Sequence, residues 1–176
     1  MNISLRGVNA CLRRSVLALL AIILLGLLAT QGCAPSAPEV GRLAPDFTLT
    51  DLEGNSVTLS DFRGKVVFIN FWATSCPSCR AQMPEIEDFY QEYKSQDVVV
   101  IGVNLLEDEN EVRRYVQQGG YSWTFVIDTT GEVAISYGIT IIPASFFVDK
   151  EGIIRAVNVE VMTKRAMESQ LAEAMK

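Results

Sequence analysis

Apolar and polar residues begin to alternate regularly at Gly41, and the pattern continues to the C-terminus. "DFTLTDLEGNSVTLS", Asp46 to Ser60, alternates about Glu53-Gly54-Asn55 and predicts a β-hairpin. "KVVFINFWA", Lys65 to Ala73, is apolar almost throughout, the pattern of a central strand buried on both faces. Beyond it Met83, Ile86, Phe89, Tyr90 and Tyr93 recur at helical spacing, with Glu85, Glu87 and Glu92 between them. "DVVVIGVN", from Asp97, predicts a second buried strand. "DENEVRRYVQQGG", from Asp108, predicts a helix with acids at its positive end and Gly119-Gly120 as its stop. Trp123 to Asp128 reads as a strand and Glu132 to Tyr137 as a short helix. "GITIIPASFFVDKEGIIRAVNV" gives two strands turning at Lys150-Glu151-Gly152, and Thr163 caps a last helix, Lys164 to Met175. Strands alternating with helices imply an α/β fold, a central mixed sheet flanked by helices on both faces. The 176 residues suffice for one domain with a full core.

The first 32 residues follow a different rule. Arg6, Arg13 and Arg14 form a basic start, Val16 to Ala29 is apolar, and no acidic residue precedes Glu39. The apolar run fits the core of a targeting signal and falls short of the ~20 residues a comfortable membrane span needs. "LLATQGC" then ends at Cys33, where a small residue before cysteine resembles a bacterial lipoprotein signal, with Cys33 as the lipidated residue. Uncleaved anchoring and ordinary cleavage are the alternatives, and each exports the rest of the chain. The expected organisation is a targeting segment over 1–32, a Pro/Ala/Ser tether over 33–42 and one domain over 43–176. Cleavage before Cys33 removes three of the 15 Lys and Arg and none of the 21 Asp and Glu, taking the net charge of −6 to about −9. Such a surface does not suit nucleic acid, which calls for clustered cations. The absence of histidine removes every His-based mechanism and the commonest metal ligand.

The chemistry concentrates in "FWATSCPSCRAQMP", Phe71 to Pro84, just past the predicted central strand. In an α/β sheet, sites form at the carboxyl ends of strands. Zinc would need about four ligands, and the only other cysteines are Cys11 and Cys33, both in the N-terminal segment. An inert disulfide is possible in an exported protein, but a loop closed over two residues removes little unfolded-state entropy. The redox reading has a mechanism. Cys76 at the first turn of a helix meets unpaired N–H groups and the positive end of the dipole, which favour a thiolate, the species that attacks disulfides. Cys79, one turn on, is placed to resolve the mixed disulfide. Pro77 fits the first turn, where a missing N–H costs nothing, while Pro84 is expected to kink the helix. Ile142-Pro143, ahead of a strand, is a candidate cis bond facing the cysteines. Trp72, close to the pair in sequence, is expected to report its redox state.

Three segments together resemble the thioredoxin superfamily, and within it the TlpA/ResA-like thiol–disulfide oxidoreductases of the AhpC/TSA-type redoxins. They are "GRLAPDFTLTDLEGNSVTLSDFRGKVVFINFWAT", "CPSCRAQMP" and "GITIIPASFFVDKEG". The resemblance runs from Gly41 to the C-terminus. It implies a thioredoxin-like fold with an N-terminal β-hairpin and an αβ insertion. It also implies a membrane-tethered extracytoplasmic domain that exchanges disulfides with protein partners, with no cofactor beyond its own disulfide. A transmembrane thiol reductase would be the electron donor. Many members are reductants, often of the haem-attachment cysteines of apocytochrome c.

Several positions depart from that pattern. Ser75 precedes the first cysteine where Trp is usual, Ala144 follows Pro143 where Thr is common, and Asn70 takes the place of thioredoxin's buried Asp. Gln82 stands where ResA-like reductases have Glu, and an amide hydrogen-bonds but does not titrate. A lower Cys76 pKa than in Glu-bearing relatives is therefore expected, with proton transfer through water or another acid. Glu107, past the neighbouring strand, is one candidate. Peroxide reduction, the alternative enzyme activity, needs Thr and Pro where this chain has Ala73 and Ile69, and a related copper chaperone needs a histidine. The non-enzymatic alternative is a lipid-anchored binding module with a structural disulfide.

Overall fold

The computed structural model describes residues 38–176; the targeting segment and Cys33 lie outside them. The strands are β1 (Thr48–Asp51), β2 (Ser56–Thr58), β3 (Val66–Trp72), β4 (Val98–Leu105), β5 (Thr124–Asp128), β6 (Ala144–Val148) and β7 (Ile154–Asn158). The helices are α1 (Pro77–Tyr93), α2 (Glu109–Gly119), α3 (Glu132–Ser136) and α4 (Lys164–Ala174), with a 3-10 turn at Leu59–Phe62. One seven-stranded sheet runs β2-β1-β5-β4-β3-β6-β7. The three central strands β5, β4 and β3 are parallel, while β1, β2, β6 and β7 pair antiparallel at the two flanks. This is the expected thioredoxin-like mixed sheet, with the N-terminal hairpin on one edge.

Every residue of β3 is buried, as its unbroken apolar run requires. Its pleat divides the core. Phe68 and Trp72 face a layer made by Met83, Ile86 and Phe89 of α1, Val112 and Val116 of α2, and Met167 and Leu171 of α4. Val67, Ile69 and Phe71 face Leu59, Tyr137 and Phe146 under the N-terminal segment. Aromatic contacts tie these layers: Phe68 stacks on Phe147 at 4.5 Å between centroids and meets Phe89 edge-on at 5.7 Å. Tyr137 is buried on the other side and donates its hydroxyl hydrogen to the Pro45 carbonyl at 2.8 Å.

The helix ends follow local chemistry. Asp108 caps α2 by accepting from the Asn110 and Glu111 amides, and Gly120 closes it at φ 67°, where a side chain would be strained. Thr163 caps α4 by accepting from the Ala166 amide, as its position predicts. Helix α1 continues through Pro84, which lacks the N–H that its turn would use.

Candidate active site

Parallel pairing of β3 with β4 places the turns after both strands side by side at one sheet edge. Cys76 is the N-cap of α1 and Cys79 lies one turn on; a disulfide joins them with their Cα atoms 5.3 Å apart. Pro77 takes the first helical position. The Cys79 amide donates to Cys76 Sγ at 3.1 Å, and the Ser78 hydroxyl, which must be the donor to a disulfide sulfur, lies 3.3 Å from it. Cys76 is partly exposed, whereas Cys79 is buried. The Ile142–Pro143 bond is cis, and the Ile142 carbonyl oxygen lies 3.9 Å from Cys76 Sγ, so two segments 66 residues apart meet at the sulfur.

The remaining predicted positions lie around this centre. Trp72 is fully buried and packs on Tyr115 and Phe125 at 5.6 and 5.7 Å. Gln82 is fully buried, and its Oε1 accepts from the Met162 amide at 2.9 Å, tying α1 to the segment ahead of α4. The buried Asn70 donates to Ser145 Oγ at 3.1 Å, linking β3 to β6 next to Pro143.

Sequence reasoning undervalued Glu107. Its carboxylate accepts from the Thr74 amide at 2.6 Å and hydroxyl at 2.9 Å, and from the Ser75 amide and hydroxyl at 3.1 Å each. Asn104 Nδ2 adds a fifth bond at 2.7 Å. Burial pushes this carboxyl's pKa up, but the donors from Asn104, Thr74 and Ser75 together outweigh it and hold the group below its ordinary value of 4.5. A carboxylate so occupied and so acidic is a poor proton acceptor for a thiol, which counts against the part first considered for it. The signal in the sequence was Asn104 and Glu107 three residues apart just past a buried strand, beside a Thr-Ser pair past its neighbour.

The same balance holds Asp51 down: burial is outweighed by the Asn55 side chain and the Asn55, Glu53 and Gly54 amides. Both carboxyls are more acidic folded than unfolded. Their contribution to stability is therefore complete above the ordinary carboxylate range and is lost as pH falls through the lower folded values. The melting temperature of the oxidised protein is expected to decline below about pH 4.5. A melting temperature that stays level under acid would contradict these bonds.

Beside the disulfide, a groove is lined by Pro77, Arg80 and Ala81 of α1 with Tyr115, Gln118 and Tyr121. The Arg80 guanidinium lies 5.8 Å from the Tyr115 ring centre, a cation–π distance that gives the groove one positive wall.

Residues 39–175 match the Redoxin family model. The thiol-disulfide oxidoreductase ResA of Geobacillus kaustophilus is 39% identical over 136 residues, covering 77% of this chain and 78% of that protein. A crystal structure of a thiol:disulfide interchange protein, DsbE, from Chlorobium tepidum superposes with a TM-score of 0.74 at 31% identity, over 78% of this chain and 99% of that one. The exposed lipoprotein thioredoxin of Streptococcus pneumoniae superposes with a TM-score of 0.67 at 29% identity, over 73% of this chain and 99% of that one. Two of these three names are those of thiol–disulfide exchange proteins, and this chain carries a disulfide across the first turn of α1. The chain belongs to the redoxin family, among its TlpA/ResA-like thiol–disulfide oxidoreductases.

Proposed function

We propose that the protein is an extracytoplasmic, membrane-tethered reductant of protein disulfides. The observation that carries the exchange chemistry is the asymmetry of the pair: Cys76 is accessible at the N-cap of α1 while Cys79 is buried. In the reduced protein the Cys76 thiolate attacks one sulfur of a substrate disulfide. A mixed disulfide forms and the other substrate sulfur leaves as a thiolate. Cys79 then attacks Cys76 Sγ, releases the second substrate thiolate and closes the Cys76–Cys79 bond. Two electrons pass to the substrate, and a membrane dithiol donor must return them to the pair.

Export is supported by the basic start, the apolar run and Cys33 ahead of the domain. The lipoprotein described for the pneumococcal neighbour agrees with that reading. No helix among the described residues is long and apolar enough to cross a membrane. The reducing direction and, as substrate, the paired cysteines to which haem is attached in apocytochrome c are carried over from the resemblance to TlpA/ResA-like reductases.

The reduction potential of the full-length chain, titrated against thiol buffers, tests this reading. A value near about −270 mV, thioredoxin's, is expected of a reductant. A value near about −120 mV would make the protein an oxidant and overturn the cytochrome assignment. A pair still oxidised below about −300 mV would be a structural disulfide.

A further inference from the structure

We propose that Glu107 is a positioning residue of the exchange reaction: its carboxylate clamps the Thr74–Ser75 turn that delivers Cys76 to the helix N-terminus, and its fixed charge there opposes ionisation of the Cys76 thiol. The assignment rests on the exchange chemistry of the Cys76–Cys79 pair.

The turn has one backbone bond of its own, from the Cys76 amide to the Ala73 carbonyl at 3.2 Å, and Glu107 holds it from the neighbouring strand. Between the last residue of β3, Trp72, and the first of α1, Pro77, the chain must leave the sheet and place one sulfur at a helix cap. Four of the five hydrogen bonds to Glu107 come from Thr74 and Ser75, so one side chain satisfies two consecutive backbone amides and both hydroxyls. The fifth, from the fully buried Asn104, fixes the carboxylate to β4. Asn104 is the register partner of Trp72, so the clamp spans the two parallel strands at the point where both end.

All five bonds come from neutral donors, and among the described residues no ion pair involves Glu107. The negative charge is held but not cancelled, hydrogen-bonded to Ser75, the residue before the nucleophile. Other charged groups include Asp108, next to Glu107 in the chain and committed to capping α2. Glu111 of α2 lies 3.4 Å from the Thr74 hydroxyl, and Arg80 of α1 is stacked on Tyr115. The helix N-terminus favours the Cys76 thiolate, while Glu107 disfavours it. A thiolate that is harder to form is intrinsically more nucleophilic, and a reduced state gaining less from ionisation gives a more reducing pair. Gln82 is an amide and carries no charge, so the carboxylate tied to the turn ahead of Cys76 is that of Glu107, from a different element.

The test is the pH dependence of iodoacetamide alkylation of Cys76 in the reduced full-length protein, resolved by peptide mass spectrometry, alongside the equilibrium with glutathione. Glu107→Gln is expected to lower the Cys76 midpoint by roughly 0.5 to 1 pH unit and to shift the glutathione equilibrium several-fold toward the dithiol. Where that variant does not fold, Glu107→Asp serves. It keeps the charge but draws it back by one methylene, and it is expected to shift both readouts the same way by less. A folded variant whose melting temperature falls while its thiol titration and glutathione equilibrium match wild type would overturn the assignment, leaving Glu107 a structural residue. A wild-type pair that exchanges with no thiol would overturn both this assignment and the functional reading beneath it.

Discussion

Cys76→Ser is expected to lower the rate of protein-disulfide reduction by about 10³-fold or more, because no other described side chain offers a thiolate to solvent at this site. Cys79→Ala is expected to fail differently. Its Cys76 still attacks, but the buried sulfur that would complete the exchange is gone, so the reaction stops at a covalent adduct. Non-reducing electrophoresis of Cys79→Ala with an oxidised protein substrate should show one mixed disulfide per chain, released by dithiothreitol. Cys76→Ser should show none. The roles follow from exposure and from the Cys79 amide that donates to Cys76 Sγ: only the sulfur at the cap receives that bond. Adducts formed by Cys76→Ser and absent from Cys79→Ala would reverse the roles. Activity retained in both would remove the pair from catalysis.

The elements that local sequence describes well are those whose signals are local. The apolar run of β3, the Gly-containing turn of the hairpin and the caps Asp108 and Thr163 each depend on residues within a few positions. The same is true of Cys76, Pro77 and Cys79, which share one helical turn. The partners that shape the site are distant. Asn70 finds Ser145, Gln82 finds the Met162 amide and Glu107 finds Thr74, across 75, 80 and 33 residues. Such pairings follow from sheet order and register, which one sequence does not display. Glu107 therefore looked like a free proton acceptor, and Gln82 only like a missing one, when each is already committed, one to a whole turn and the other to a backbone amide.

Phe68→Ala is expected to be among the most destabilising single substitutions in the described domain, by about 3–5 kcal/mol. The residue has no measurable exposure, stacks on Phe147 of β6 and meets Phe89 of α1, so truncation opens a cavity where sheet and helix join. Its neighbours are strands and a long helix, which cannot collapse into the space, and that favours the upper end of the range. Against a total stability of about 5–15 kcal/mol for a typical domain, this is a large fraction, corresponding to a fall in melting temperature of roughly 10–15 °C. Phe68→Leu, which keeps most of the volume, should cost only about 1–2 kcal/mol. The reduction potential is expected to stay near wild type in both variants. Phe68 lies four residues before the end of β3, and the loss falls equally on the oxidised and reduced forms. A fall of only a few degrees in Phe68→Ala would mean that α1 is held to the sheet elsewhere. A shifted potential at full fold would mean that packing beneath the helix reaches the sulfurs, and the redox properties of the pair could then not be assigned to the cap and Glu107 alone.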